Sequence, residues 1–173
     1  MFQVILLIIS FNAAGTPEDV ARQYFDLLAA KKYAEVVALY DDAEMARFKG
    51  MFHEIIVFAE GSGPEMIEGL APLLGARSAE ELKEKDPKVF FAGFLTNVMG
   101  QLGEVKFDKL EVLGHVPEGD MVHVITRTSV GVQELKMTQM EVMSMRKQDG
   151  VWKIMLSGEF EGIAQTLKGQ LGM

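Results

Sequence analysis

Four polar side chains in the last third of the chain could form one chemical site. His123 and Arg127 lie on one predicted strand, and Gln139 and Glu141 lie on the next. If the connecting loop centres on Gln133, Arg127 lies opposite Gln139 and diagonal to Glu141, within reach of long side chains. His123 then lies further along the same face. We predict that these four residues bind a polar or anionic part of a ligand, or act as general acid and base with shifted pKa values.

The same residues have a plainer interpretation. Arg127 and Glu141 could pair with each other inside the protein or at the rim of a cavity, and serve no ligand. A one-residue shift at the loop would also move His123 and Arg127 to the other face, because side chains alternate along a strand. The identity of any catalytic residue is therefore left open.

Motifs for metal, cofactor or nucleophilic chemistry are missing from the sequence. The three histidines, His53, His115 and His123, lie on separate predicted elements without paired spacing, so we predict no metal site. No glycine-rich phosphate loop, dinucleotide fingerprint or Gly-x-Ser-x-Gly turn occurs. The chain has no cysteine, which excludes disulfides and thiolate ligands. We predict no cofactor.

The strands that carry the four residues follow from turn signals. Asp149-Gly150 between two alternating runs predicts a hairpin, because both residues accept the positive φ of a type I′ turn. Strands are predicted over 105–115, 120–130, 135–148 and 151–160. With the loop centred on Gln133, the face predicted to lie against helices carries Leu110, Val112, His123, Ile125, Arg127, Gln139, Glu141, Met143, Met145, Trp152, Ile154, Leu156 and Phe160.

The first hundred residues have helical patterns. Thr16-Pro17-Glu18-Asp19 combines an N-cap hydroxyl, a proline at the first helical position and a carboxylate three residues on. Apolar spacing then predicts six helices between Pro17 and Met99, and a short helix over 163–167 near the end. Helices followed by an antiparallel sheet indicate an α+β fold, with the helices packed on a strongly curved four-stranded sheet.

The first 15 residues are predicted to be a secretory signal peptide. The apolar run over 2–9 is too short to span a bilayer and leads into Ala13-Ala14-Gly15, a small-x-small cleavage pattern. No Lys or Arg precedes the run, and a buried N-terminal strand is the alternative. Residues 16–173 would then form a single secreted or periplasmic domain without a membrane span.

The charge balance argues against nucleic acid as a partner. The chain carries 17 basic and 25 acidic side chains, a formal net charge of −8. Such a chain repels phosphate backbones, and no cluster of Lys and Arg interrupts the acidic surface. We predict no binding to nucleic acid.

Two parts of the chain resemble the NTF2-like superfamily, a cone-shaped fold. The resemblance rests on Pro-Glu-Asp-Val-Ala-Arg-Gln-Tyr-Phe-Asp-Leu-Leu, on Lys-Lys-Tyr-Ala-Glu-Val-Val-Ala-Leu-Tyr and on the closing Asp-Gly-Val-Trp-Lys-Ile. It covers 16–60 and 105–160. The helices predicted between about 64 and 103 depart from the pattern and would be an insertion that caps or fills the cone. The superfamily includes ketosteroid-isomerase-like and polyketide-cyclase-like (SnoaL-like) enzymes as well as binding domains.

The resemblance implies two further expectations. A ketosteroid-isomerase-like site needs a carboxylate base and a tyrosine hydroxyl, for which Tyr24, Tyr33 and Tyr40 are candidates if they do not simply pack in the core. Sheets of this superfamily often dimerise through the outer face, predicted here to carry Val122, Val124, Met140 and Val142. Met137, Met140, Met143 and Met145 crowd one strand, and such flexible side chains suit a binding surface. A compositional bias is the alternative explanation for them.

The residues and the resemblance together predict an exported domain that binds a small apolar or amphipathic molecule, or a protein partner, without catalysis. A homodimer through the sheet is expected. The alternative is an isomerase, cyclase or hydrolase that uses Glu141 or His123, with Arg127 stabilising negative charge.

Overall fold

The computed structural model describes residues 15–103, 105–132 and 135–173. The predicted signal peptide lies outside the described residues except for Gly15. In chain order the described elements are α1 (Pro17–Ala29), α2 (Tyr33–Val37), α3 (Asp42–Ser62), α4 (Pro64–Leu73), α5 (Ala79–Glu84), α6 (Pro87–Gln101), β1 (Val105–Glu118), β2 (Met121–Val132), β3 (Leu135–Gln148), β4 (Val151–Ile154) and α7 (Gly158–Gln170).

The α+β class is confirmed. The strands form one antiparallel sheet in the order β1-β2-β3-β4, so sequential strands are neighbours. The main core lies between the helices, where the rings of Phe48 and Phe52 on α3 contact those of Phe90, Phe91 and Phe94 on α6. Helices α4, α5 and α6 occupy the stretch predicted to be helical between 64 and 103. No helix in the described ranges is both long and apolar enough to cross a membrane.

Helix starts follow the capping signals of the sequence. Thr16 and Asp19 form a reciprocal capping box at α1, and Ser78 accepts a hydrogen bond from the Glu81 N–H at α5. At α3, the buried Asp41 side chain accepts from the N–H groups of Ala43 (2.8 Å) and Glu44 (3.4 Å). These bonds satisfy N–H groups that have no partner inside the helix.

Replacing Asp41 by alanine is expected to lower the free energy of unfolding by about 1 kcal/mol, because two N–H groups lose their acceptor. Urea denaturation followed by circular dichroism measures the change. Ser157→Ala is the matched control, since Ser157 precedes α7 without a side-chain capping bond, and its effect should stay within about 0.5 kcal/mol. Equal effects at the two positions would contradict the capping role of Asp41.

The predicted register between β2 and β3 is wrong by one residue. Arg127 lies opposite Met140, and Thr128 rather than Arg127 lies opposite Gln139. The centre of the connection therefore falls between residues 133 and 134 instead of on residue 133. A one-residue slip exchanges the two faces of one strand relative to the other. The inner face of β2 consequently carries Val122, Val124, Thr126 and Thr128, all of which are buried.

The last predicted strand is also corrected. β4 ends at Ile154 instead of residue 160, and helix α7 begins at Gly158 and runs well beyond the predicted 163–167. The Ile154 N–H donates to the Leu39 carbonyl (2.9 Å), and the Asp41 N–H donates to the Ile154 carbonyl (3.0 Å). The segment between α2 and α3 thus covers the outer edge of β4. Because β4 pairs with only Met145–Gln148 of β3, the rest of β3 is an edge strand.

Candidate functional site

A cavity of about 360 Å³ lies between α1 and the inner face of the sheet. Its walls include Tyr24 and Phe25 from α1, Phe107 from β1 and Val130 from β2. Met140 and Val142, on the outer face of β3, also border it. The cavity therefore opens past the free edge of β3, in the gap before α7.

Another depression, of about 420 Å³, lies where the carboxyl ends of α1 and α6 meet the start of β1. Its described lining contains Lys31 and Tyr33 but no carboxylate. We place the candidate site in the first cavity because several polar side chains converge on apolar walls there, which is the usual composition of a ligand site.

Glu141 is the carboxylate held at the cavity wall. It lies on β3 with its Cα opposite that of Thr126. Its Oε1 accepts hydrogen bonds from the buried Thr128 hydroxyl (3.3 Å) and from the side-chain amide of Gln139. Both bonds converge on one oxygen, and within the described ranges Oε2 has no hydrogen-bond partner. The carboxylate is therefore oriented by one oxygen and available for a ligand through the other.

Tyr24 and Tyr40 supply hydroxyl groups to the same cavity. Their rings contact edge to face, with centroids 6.1 Å apart. Burial raises the pKa of the Tyr24 hydroxyl, and the nearby charges of Glu141 and Glu159 raise it further. Burial raises the pKa of the Tyr40 hydroxyl well above its ordinary value. Both hydroxyls consequently remain protonated at neutral pH and can donate hydrogen bonds.

The raised pKa values of Tyr24 and Tyr40 predict a loss of stability at alkaline pH. Their stabilising contribution is complete below the ordinary tyrosine pKa of about 10. As the pH rises from there towards the raised folded-state pKa, the unfolded chain loses these protons first and unfolding becomes more favourable. Urea denaturation at a series of pH values above neutrality measures this decline.

The double variant Tyr24→Phe, Tyr40→Phe is the control for the alkaline prediction. It keeps the rings and removes both ionisable groups, so its stability should fall less steeply with pH than that of the wild type. An equally steep decline would assign the alkaline transition to other groups.

The four predicted site residues do not share one face. Gln139 and Glu141 lie on the inner face, whereas His123 and Arg127 lie on the outer face as a result of the shifted register. The predicted pair of Arg127 with Glu141 is therefore wrong. Arg127 instead pairs with Glu111 on β1, with 3.2 Å between Nη1 and Oε2.

His123 has its own partners on the outer face. Its Nδ1 lies 2.9 Å from the Ser144 hydroxyl, and its Nε2 lies 2.7 Å from Glu118 Oε2. This position removes His123 from the cavity. Within the described ranges, no group of three or more His, Cys, Asp or Glu side chains could hold a metal ion.

Two polar cavity residues, Thr128 and Glu159, were not among the predicted site residues. Thr128 lies on the inner face because of the shifted register, and Glu159 lies on α7 rather than on the last predicted strand. Tyr24 packs against the core and also lines the cavity, so core packing and a role in the site are compatible at this position. The available signal was the alternation of β2, in which Thr126 and Thr128 continue the apolar series of Val122 and Val124.

The outer face of the sheet is partly apolar. Met140 is 63% exposed, Val142 is 61% exposed and Val116 on β1 is 52% exposed. Val122 and Val124, predicted for this face, are instead buried on the inner face. The exposed apolar residues are interspersed with charged ones, including the pair of Arg127 and Glu111.

Comparisons with known proteins correct the family prediction. No family model matches the chain, and no curated protein matches it. Among solved structures, the chain is similar to the solution structure of RPA3114, a SEC-C motif containing protein from Rhodopseudomonas palustris. The TM-score is 0.45 at 16% identity, covering 81% of this chain and 75% of that one.

The predicted membership in the NTF2-like superfamily, including its SnoaL-like members, is therefore wrong. The comparisons give it no support, and the similar structure belongs to proteins described by a different motif. A likeness at this TM-score carries no functional argument.

Proposed function

We propose that this protein binds a small amphipathic molecule in the cavity between α1 and the sheet. The observation that carries the proposal is the cavity of about 360 Å³, which joins apolar walls to one oriented carboxylate. Ligand sites are typically concave, mostly apolar and supplied with a few positioned polar groups. Binding without catalysis is the simplest role that uses these features.

The apolar walls on the helix and on the sheet are in contact with each other. Phe25 on α1 and Phe107 on β1 meet edge to face, with ring centroids 5.2 Å apart, and thereby join the helix to the sheet. Two bulges in β1, at Phe107/Lys109 and Val112/Gly114, favour bending of the strand. Such bending supports the further proposal that the sheet curves strongly around the ligand.

A cavity-filling variant tests this proposal with 1-octanol as the probe. Val130→Phe on the inner face should reduce octanol affinity at least tenfold in isothermal titration calorimetry, since the larger ring occupies ligand space. Val116→Phe, on the exposed outer face, is the matched control and should bind like the wild type. No octanol binding by the wild type, or equal binding by all three proteins, would overturn the proposal.

The second candidate is a homodimer formed through the outer face of the sheet. It is favoured by the exposure of Met140, Val142 and Val116 on that face. Sedimentation velocity measures the mass, and Met140→Lys with Val142→Lys should convert a dimer to a monomer because buried unpaired charges oppose association. A wild type that remains monomeric at high concentration would exclude this candidate.

An enzymatic role is a further proposal, in which Glu141 is the acid–base residue. A carboxylate that can accept a proton and a Tyr24 hydroxyl that stays protonated border the same cavity, as acid–base catalysis by an isomerase, cyclase or hydrolase requires. His123 lies on the outer face and has no part in this role. Glu141→Gln should abolish any turnover found for a bound ligand while the protein stays folded.

Export of the domain to the periplasm or the medium is also part of the proposal. It is supported by the sequence pattern of residues 1–15. Amino-terminal sequencing of the protein recovered from outside the cytoplasm tests it, and a chain that still begins at Met1 there would contradict cleavage.

A further inference from the structure

The charges around the cavity have one sign. Two carboxylates, Glu141 and Glu159, border it, and the other polar side chains that line it carry hydroxyl groups. Among the described residues no Lys, Arg or His lines the cavity. The ligand therefore meets hydrogen-bond acceptors and negative charge, with hydroxyls as the only side-chain donors.

Within the part of the chain that the structure describes, no basic side chain pairs with either carboxylate. Within the described ranges, Glu141 receives only the neutral donors Thr128 and Gln139, both at Oε1. No hydrogen bond or ion pair to the Glu159 carboxylate occurs in the same ranges. An anionic ligand would add repulsion at close range, whereas a cation would supply the missing charge partner.

The aromatic side chains of the cavity also favour a positively charged ligand. The rings of Tyr24, Tyr40 and Phe160 line the same cavity as Glu141. The faces of aromatic rings attract ammonium groups, and the attraction strengthens when water is excluded. Since both tyrosine hydroxyls stay neutral, they add no competing charge.

We infer that the ligand of this cavity is an amphipathic amine, with its ammonium group at Glu141 and its apolar part along the walls formed by Phe25, Phe107 and Val130. The inference rests on the proposed function, because it names the ligand class of the same cavity. It assigns Glu141 as the residue that selects the ligand by charge.

Three probes with the same chain length test the inference by isothermal titration calorimetry: octylamine, 1-octanol and octanoate at neutral pH. Octylamine should bind the wild type about tenfold more tightly than octanol, because the charged hydrogen bond and the ring contacts are added to the same apolar contact. Octanoate should bind more weakly than octanol. Raising the salt concentration should weaken octylamine binding and leave octanol binding nearly constant.

Glu141→Gln should bring the ratio of octylamine to octanol affinity close to one. Glu68→Gln, an exposed position in the middle of α4, is the matched control for the loss of one negative charge and should keep the wild-type ratio. Glu159→Gln tests the second carboxylate that borders the cavity and should lower the ratio partially. The wild-type comparison itself does not depend on the folding of any variant.

The outcomes separate this inference from the proposed function. Octanol binding with no preference for the amine, or with a preference for octanoate, overturns the amine inference and leaves a ligand-binding cavity. An amine preference that persists in Glu141→Gln overturns the assignment to Glu141. Absence of binding by all three probes overturns both proposals.

Discussion

Replacing Phe48 by alanine is expected to lower the free energy of unfolding by about 3–5 kcal/mol. Phe48 is fully buried on α3. Its ring contacts those of Phe90, Phe91 and Phe94 on α6 and that of Phe160 on α7, with centroid distances between 4.6 and 5.9 Å. Removing it leaves a cavity bordered by aromatic rings on two other helices, which cannot all move inward to fill it.

Urea denaturation at constant temperature measures the effect of Phe48→Ala. Val57→Ala on the same helix is the control, because Val57 is largely exposed and its replacement should change stability by less than about 0.5 kcal/mol. A loss below about 1 kcal/mol for Phe48→Ala would mean that the aromatic cluster is not tightly packed. Phe48→Leu should fall between the wild type and alanine, since it retains part of the buried volume.

Gly75→Ala is expected to destabilise the protein by about 2–5 kcal/mol. Gly75 follows α4 in a left-handed conformation with φ of +74°, and the Ala76 N–H donates to the Ala71 carbonyl (2.8 Å) across this turn. An added Cβ would lie 2.8 Å from the Cα of Gly93 on α6. The substitution therefore strains the backbone and also forces α4 and α6 apart.

Gly50→Ala is the matched control for Gly75→Ala. Gly50 lies inside α3 with no atom within 4 Å of an added Cβ, so alanine should stabilise the helix by about 0.5–1 kcal/mol. Thermal denaturation of the two variants should thus give shifts of opposite sign. A neutral result for Gly75→Ala would show that the two helices tolerate a wider separation.

Much of the local structure was predictable because its causes lie within a few residues. The caps at Thr16, Asp41 and Ser78 each depend on a side chain and an N–H two or three positions away. The turn at Asp149-Gly150 likewise depends on two residues that accept positive φ, and both have it, at 52° and 83°. Such signals define where helices begin and where strands reverse.

The candidate site was only half predictable. Gln139 and Glu141 share a face because they are two residues apart on one strand, and that relation survives any register. Whether they share that face with His123 and Arg127 depends on the loop between β2 and β3, because a shift of one residue there moves both of those side chains to the opposite face. In the structure Thr128, not Arg127, lies opposite Gln139. Glu141 therefore accepts a hydrogen bond from the neutral Thr128 hydroxyl instead of forming an ion pair with Arg127.

The sequence by itself determined the α+β class, the positions of most helix starts and the inward pairing of Gln139 with Glu141, because these follow from local hydrogen bonding and residue spacing. Only the tertiary structure decided which face of β2 met the helices, that β4 ended at Ile154, and that Tyr24, Tyr40 and Glu159 joined Glu141 at one cavity. These relations depend on contacts between residues far apart in the chain, whose energies no local pattern records.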